Sequence, residues 1–180
     1  MIDKILEHNQ AFVANKSYIP YQTNKYPSKK LAILTCMDTR LTELLPAALG
    51  LRGGNVKMIK NAGGMISDPF ETSVRSLLIA VLELGVEEIM VIGHTDCGVC
   101  GMESKTLIRH LTERGISPAA ISGITYNGID LYHWLTGFDQ VEDSVRSSVD
   151  ILQNHPLMPS DVSIYGFVID TQTGKLNPVD

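Results

Sequence analysis

A chain of 180 residues is long enough to bury a core without disulfides and short enough to form a single domain, residues 1–180, with 1–28 as an N-terminal helix and arm. A net charge of −5 gives no support to nucleic-acid or anionic-membrane binding, and no apolar run approaches membrane-spanning length. The three cysteines, Cys36, Cys97 and Cys100, make an odd count that suits metal binding or chemistry in a reducing compartment better than a disulfide framework.

Residues 2–14 place Ile2, Ile5, Leu6, Phe12 and Val13 at helical spacing and predict an amphipathic opening helix. Its acids set it apart from a secretory signal, so a cytoplasmic location is expected. A polar loop or arm with Pro20 and Pro27 follows. Residues 31–35 form an apolar run that reads as a buried strand ending at Cys36, and 42–49 read as a short helix closed by Gly50. Residues 56–60 alternate as a second strand, which ends in the turn Asn61-Ala-Gly-Gly64. Asp68 and Pro69 predict the start of a helix with Val74, Leu77, Leu78, Val81 and Leu82 on one face and Gly85 as its stop. Residues 88–93 are the next strand, with His94 at its end. A helix is expected from soon after Gly98 to about Arg114, with Cys100 packed in it. Residues 115–137 read as loop or short helix, 139–153 as a helix, 163–170 as the last strand, and 171–175 as a turn into a tail.

Strands alternating with helices predict an α/β fold, and both Cys36 and His94 fall at carboxyl ends of strands, the edge where open α/β sheets bind ligands. Two motifs lie there: Cys36-x-Asp38-x-Arg40 and His94-x-x-Cys97-Gly98. Two thiolates, one imidazole and one carboxylate suit a tetrahedral zinc ion, which would leave a neutral core with the two thiolates. The fourth position is open to two readings. Water there would be activated as a nucleophile, whereas the Asp38 carboxylate would close the site. Arg40 could decide between them by pairing with Asp38 and holding it off the metal. A pH-dependent switch would follow, because hydroxide competes better as pH rises. Cys97-x-x-Cys100 could instead be a redox pair, but only if Cys97 is free of metal. The Asn61–Gly64 turn is a weak anion-cradle signal beside its ordinary reading as a tight turn. His8, His110, His133 and His155 have no ligand-like neighbours and are expected at the surface or in caps. Trp134, Tyr132 and Phe138 are expected in the core or a subunit contact.

The paired motifs resemble the β-class carbonic anhydrases, and the similarity runs over most of the chain, including residues 31–40, 43–51, 61–64, 73–85, 91–98 and 165–175. The small size is similar to that of the small bacterial members. The resemblance implies an α/β fold with a mostly parallel central β-sheet flanked by helices. It also implies a homodimer or tetramer, one zinc per chain, and reversible hydration of carbon dioxide to bicarbonate. By position it implies Cys36, His94 and Cys97 as zinc ligands and Asp38 as a switchable fourth ligand and acceptor for zinc-bound water. Arg40 would be its clamp, the Gly98 N–H would lie near bicarbonate, and the Asn61–Gly64 turn would line the pocket. Lys60 stands where many members carry arginine, and no counterpart of the plant-type pocket glutamine can be placed, which suggests a narrow apolar pocket. Relatives of this fold hydrolyse carbon disulfide or carbonyl sulfide, so those substrates, and a closed non-catalytic zinc site, are the alternatives.

Overall fold

The computed structural model describes residues 1–180. Five strands, β1 (Leu31–Cys36), β2 (Val56–Asn61), β3 (Glu88–His94), β4 (Ser163–Ile169) and β5 (Leu176–Val179), form one sheet in the order β2-β1-β3-β4-β5. The first four are mutually parallel, and β5 runs antiparallel to β4. Parallel neighbours need crossovers, and the intervening helices supply them. Helix α1 (Ile2–Ala14) precedes the sheet; the crossovers run through α2 (Leu41–Ala48), through α3 (Thr72–Leu84), and through α4 (Ser104–Glu113), α5 (Pro118–Tyr126), α6 (Leu131–Leu135) and α7 (Val141–Gln153). The expected α/β class with a mostly parallel sheet is thus what the chain adopts.

Side chains alternate across each strand, so the sheet divides the core into two layers. On one face Ala32, Leu34, Ile89 and Val91 pack with Val74 and Leu77 of α3 and with Val145 and Leu152 of α7. On the other, Ile33, Ile92 and Ile169 pack with Leu41 and Leu45 of α2, and this layer carries Cys36 and Cys97. Each fully buried leucine or isoleucine here contributes about 1.5–3 kcal/mol relative to an exposed one.

Helix α7 approaches the sheet closely, and the sequence permits this at two glycines. A Cβ at Gly93 would lie 2.5 Å from Val141 Cγ2, and one at Gly166 would lie 2.8 Å from Val145 Cγ1. Both distances are shorter than real Cβ contacts allow, so these positions need glycine for space rather than for backbone freedom.

Several expectations require correction. Helix α3 begins at Thr72 rather than at Asp68, because the Asp68 carboxylate accepts from Phe70 N at 2.7 Å and makes a separate turn ahead of the helix. The helix does end at Gly85, which is left-handed with φ 73°. Helix α4 starts only at Ser104, and Cys100 lies in the turn before it, exposed, donating to the Asp139 carbonyl at 3.2 Å. The glycine-containing stretch 115–137 resolves into α5 and α6, the former begun by Ser117 accepting from Ala120 N and by Pro118. The tail after the 171–175 turn pairs with β4 as β5. His155 is buried, not superficial, and its Nε2 donates to the Pro69 carbonyl. Of the three aromatics expected in the core or a subunit contact, Phe138 packs against the core, while Trp134 and Tyr132 are exposed on the chain, which is the placement a subunit contact requires. Helix α1 forms as expected but buries none of its residues.

Gly93→Ala is expected to destabilise the fold by about 1–3 kcal/mol through overpacking against α7, seen as a lowered urea midpoint. An unchanged midpoint would mean that α7 can move away from the sheet freely.

Candidate metal centre

The β1–β3 register pairs Thr35 with Ile92, so Cys36 and His94 leave adjacent parallel strands at the same edge of the sheet. The chain then turns, and Cys97 comes back over that edge, with Cys100 N donating to the Cys97 carbonyl at 3.0 Å. This turn is anchored to the end of β4. Thr95 N donates to the Ile169 carbonyl at 3.1 Å, and the Thr95 hydroxyl accepts from Thr171 N at 3.0 Å. The Asn61–Gly64 turn closes in from the other side. Met37 N donates to the Asn61 carbonyl at 2.8 Å, and a Cβ on Gly64 would stand 2.6 Å from Cys36 N, so only glycine fits.

The outcome is a buried group in which Cys36 Sγ, Cys97 Sγ and a His94 ring nitrogen all lie within 4.8 Å of one another. The two sulfurs are 3.9 Å apart. Burial pushes the Cys97 thiol up, and the neighbouring Cys36 adds to this, while the backbone N–H groups of Val99 and Cys100 act in the opposite direction. His94 Nδ1 donates to its neighbour's carbonyl, Thr95 O, at 2.9 Å. That bond leaves the Nε2 lone pair facing the sulfurs, and Nε2 is buried without any hydrogen-bond partner. An orphaned imidazole nitrogen beside two buried thiols is unfavourable in a closed protein interior. A soft divalent cation satisfies all three atoms at once, and the donor set of two thiolates and one imidazole is one zinc favours. The residues present therefore fit a metal ion.

Asp38 and Arg40 follow Cys36 directly. Asp38 Oδ1 accepts from Arg40 N at 2.8 Å and Nε at 3.0 Å, and Oδ2 accepts from Nη2 at 2.9 Å. This bidentate fork holds the Asp38 carboxyl well below the usual carboxylate range and raises the Arg40 guanidinium above its own. Asp38 Oδ2 stands 3.9 Å from His94 Nε2, so the carboxylate borders the Cys–His–Cys group while paired with Arg40. The remaining Arg40 donors reach Asp96, a residue the sequence reading passed over. Nη1 bonds Asp96 Oδ2 at 2.9 Å and Nη2 bonds the Asp96 carbonyl at 2.8 Å. Its position between His94 and Cys97 was the available signal, but nothing in the chain order links it to Arg40.

Gly98 is exposed, and nothing stands within 4 Å of where its Cβ would be. Beside the cluster lies a cavity of about 520 Å³, lined in part by Met37, Ala62, Met65, Val99, Met102 and Leu135. Its lining is largely apolar, as expected. Lys60 is exposed. Cys100, bonded to Asp139 instead, stays outside the Cys–His–Cys group.

Residues 31–176 match the family described as carbonic anhydrase. A Bacillus subtilis (strain 168) protein, YvdA, provisionally named a carbonic anhydrase, is 50% identical over 178 residues, covering 99% of this chain and 90% of its own. A carbon disulfide hydrolase of Acidithiobacillus thiooxidans is 31% identical over 159 residues, covering 84% of this chain and 77% of its own. Among solved structures, β-carbonic anhydrase isoform I of Trichomonas vaginalis matches with a TM-score of 0.90 at 33% identity, covering 99% of this chain and 97% of that one. With sequence and fold agreeing along nearly its whole length, the chain belongs to the β-carbonic anhydrase family of enzymes.

Proposed function

We propose that the chain catalyses the reversible hydration of carbon dioxide to bicarbonate and a proton, with one zinc ion held by Cys36, His94 and Cys97. The observation that carries this reading is the orphaned Nε2 of His94 beside two buried thiols, with an Asp38 carboxylate bordering them but tied to Arg40. Zinc so held supplies a hydroxide nucleophile near neutral pH.

The chain's own groups do the rest. Asp38 Oδ1 is occupied by two Arg40 donors, whereas Oδ2 takes only one and keeps acceptor capacity on the side of His94. Oδ2 can therefore accept a hydrogen from the attacking water and orient its lone pair. The Gly98 N–H offers bicarbonate a donor, and the space where a side chain would stand on this residue is open. Met37 and Val99 join the cavity to the cluster and give small apolar substrates a dry approach. If Asp38 is released from Arg40 it can reach toward the fourth metal position and block it, and it competes best where hydroxide is scarce. Low pH thus favours the closed arrangement and higher pH the open one.

The carbon disulfide hydrolase relative supports one second reading, hydrolysis of carbon disulfide or carbonyl sulfide at the same centre. A permanently closed, non-catalytic site is disfavoured by the bidentate Arg40 bond, which draws Asp38 away from ligation. The exposed Ile2, Ile5, Leu6 and Val13 of α1 support a homodimer or tetramer, with this helix covered by another copy. No helix is long and apolar enough to cross a membrane; a cytoplasmic location is proposed from the odd count of free cysteines, which suits a reducing compartment.

Stopped-flow hydration of carbon dioxide by metal-quantified protein should be rapid and should rise as pH increases through neutrality. Activity on carbon disulfide alone would transfer the assignment to the second reading. Arg40→Ala should retain zinc yet lose about 10–100-fold in hydration rate, because the group that orients the carboxylate is gone. Full activity in that variant would remove Arg40 from the mechanism. In sedimentation velocity the protein should run as a dimer or larger; a monomer would overturn the assembly.

A further inference from the structure

Arg40 bridges two segments distant in sequence, and its far partner is unusual. Asp96 has a positive φ of 55°, a left-handed conformation uncommon outside glycine, asparagine and aspartate. Its side chain is 88% exposed, so packing does not account for its placement. Two of its acceptors are used on one guanidinium: the carboxylate Oδ2 takes Nη1 at 2.9 Å and the main-chain carbonyl takes Nη2 at 2.8 Å. An exposed ion pair contributes little to stability, which makes it a poor reason to hold a non-glycine residue in this backbone state.

The geometry has a specific consequence for the guanidinium plane. Asp38 alone engages one edge of Arg40, through Nε and Nη2, and a guanidinium held at one edge can still pivot about its side-chain bonds. Asp96 engages Nη1 on a different side of the fork and shares Nη2 with Asp38. With both acids in place the plane is determined, and so is the direction in which Asp38 is pulled. Asp96 also lies inside the segment from His94 to Cys97, so the same guanidinium ties the Asp38 carboxylate to the turn that carries two of the metal-binding candidates.

We propose that Asp96 is a positioning residue: through Arg40 it holds the Asp38 carboxylate in the arrangement that leaves the fourth metal position open. This rests on the proposed metal-dependent reading of the centre. Asp96 lies outside the Cys–His–Cys group, and its effect passes through Arg40.

Asp96→Asn tests it, because asparagine also accepts the left-handed backbone and keeps the carbonyl, while removing the charged acceptor. Asp96→Gly is the second variant; it relieves the backbone and equally lacks the carboxylate. Two readouts are taken at neutral pH: carbon dioxide hydration by the zinc-loaded proteins, and visible absorption of the cobalt-substituted proteins. Both variants are expected to lose about tenfold in kcat with little change in KM. Their cobalt spectra should shift in the same direction as that of Arg40→Ala, by a smaller amount, reporting a carboxylate drawn onto the metal. Wild-type activity with variant kcat and spectra unchanged would overturn the role of Asp96 and leave the carbonic anhydrase reading standing. If the wild type does not hydrate carbon dioxide, that reading fails, and the cobalt spectra still decide Asp96: a shift supports it and no shift overturns it.

Discussion

The parallel register of β1 against β3 is the constraint on which the rest of this structure depends. Thr35 is paired with Ile92, and the side chains that follow are carried to a shared edge by two strands hydrogen-bonded along their length. Because both strands are buried on both faces, a slip of one residue would move each apolar set to the wrong layer, so the register is strongly specified. Cys36 and His94 inherit that precision without any direct bond between them. The turns that complete the site, at Asn61–Gly64 and His94–Cys97, are then fixed to strand ends by main-chain hydrogen bonds rather than by loose packing.

The centre itself consists of groups that protein interiors otherwise avoid. Two buried thiols 3.9 Å apart and an imidazole nitrogen with no partner are poorly satisfied by one another. His94 is held in one tautomer by the Thr95 carbonyl, and the Cys97 sulfur faces two backbone N–H groups. These second partners orient the donors toward one point, the usual arrangement around metal ligands. The neighbouring Asp38–Arg40–Asp96 chain is of opposite character: polar, partly exposed and held by hydrogen bonds to one guanidinium. One guanidinium satisfies two carboxylates from segments more than fifty residues apart, and each acid limits where the other can go.

Much of this was legible in the amino-acid order, for identifiable reasons. Continuous apolar runs at 31–35 and 88–93 marked buried strands, and glycine at 85 marked a helix end, because those signals depend on local chemistry. The two motifs were readable because cysteine, histidine and aspartate at strand ends have few structural uses. The misreadings arose where local signals had two outlets. Asp68 and Pro69 suit a helix start and a turn equally well, and the turn won. The tail after residue 175 carries too few residues to announce a strand, and it became one only because β4 presented an open edge. His155 had no sequence neighbour to suggest burial; its partner is the carbonyl of Pro69, far away in the chain.

The sequence by itself determined the alternation of strands and helices, the residue types able to bind a metal, and the proximity of Arg40 to Asp38, since these rest on spacing within single segments. Tertiary structure decided what spacing cannot encode. It brought Cys36 to within ligand distance of His94 and Cys97, left Nε2 of His94 without a partner, and turned Asp96 toward Arg40. It also excluded Cys100 from the cluster despite its position three residues from Cys97, because the chain directs that thiol to the Asp139 carbonyl. The physical reason is the same throughout: convergence at one point is a property of strand register and turn direction, which exist only once the sheet has formed.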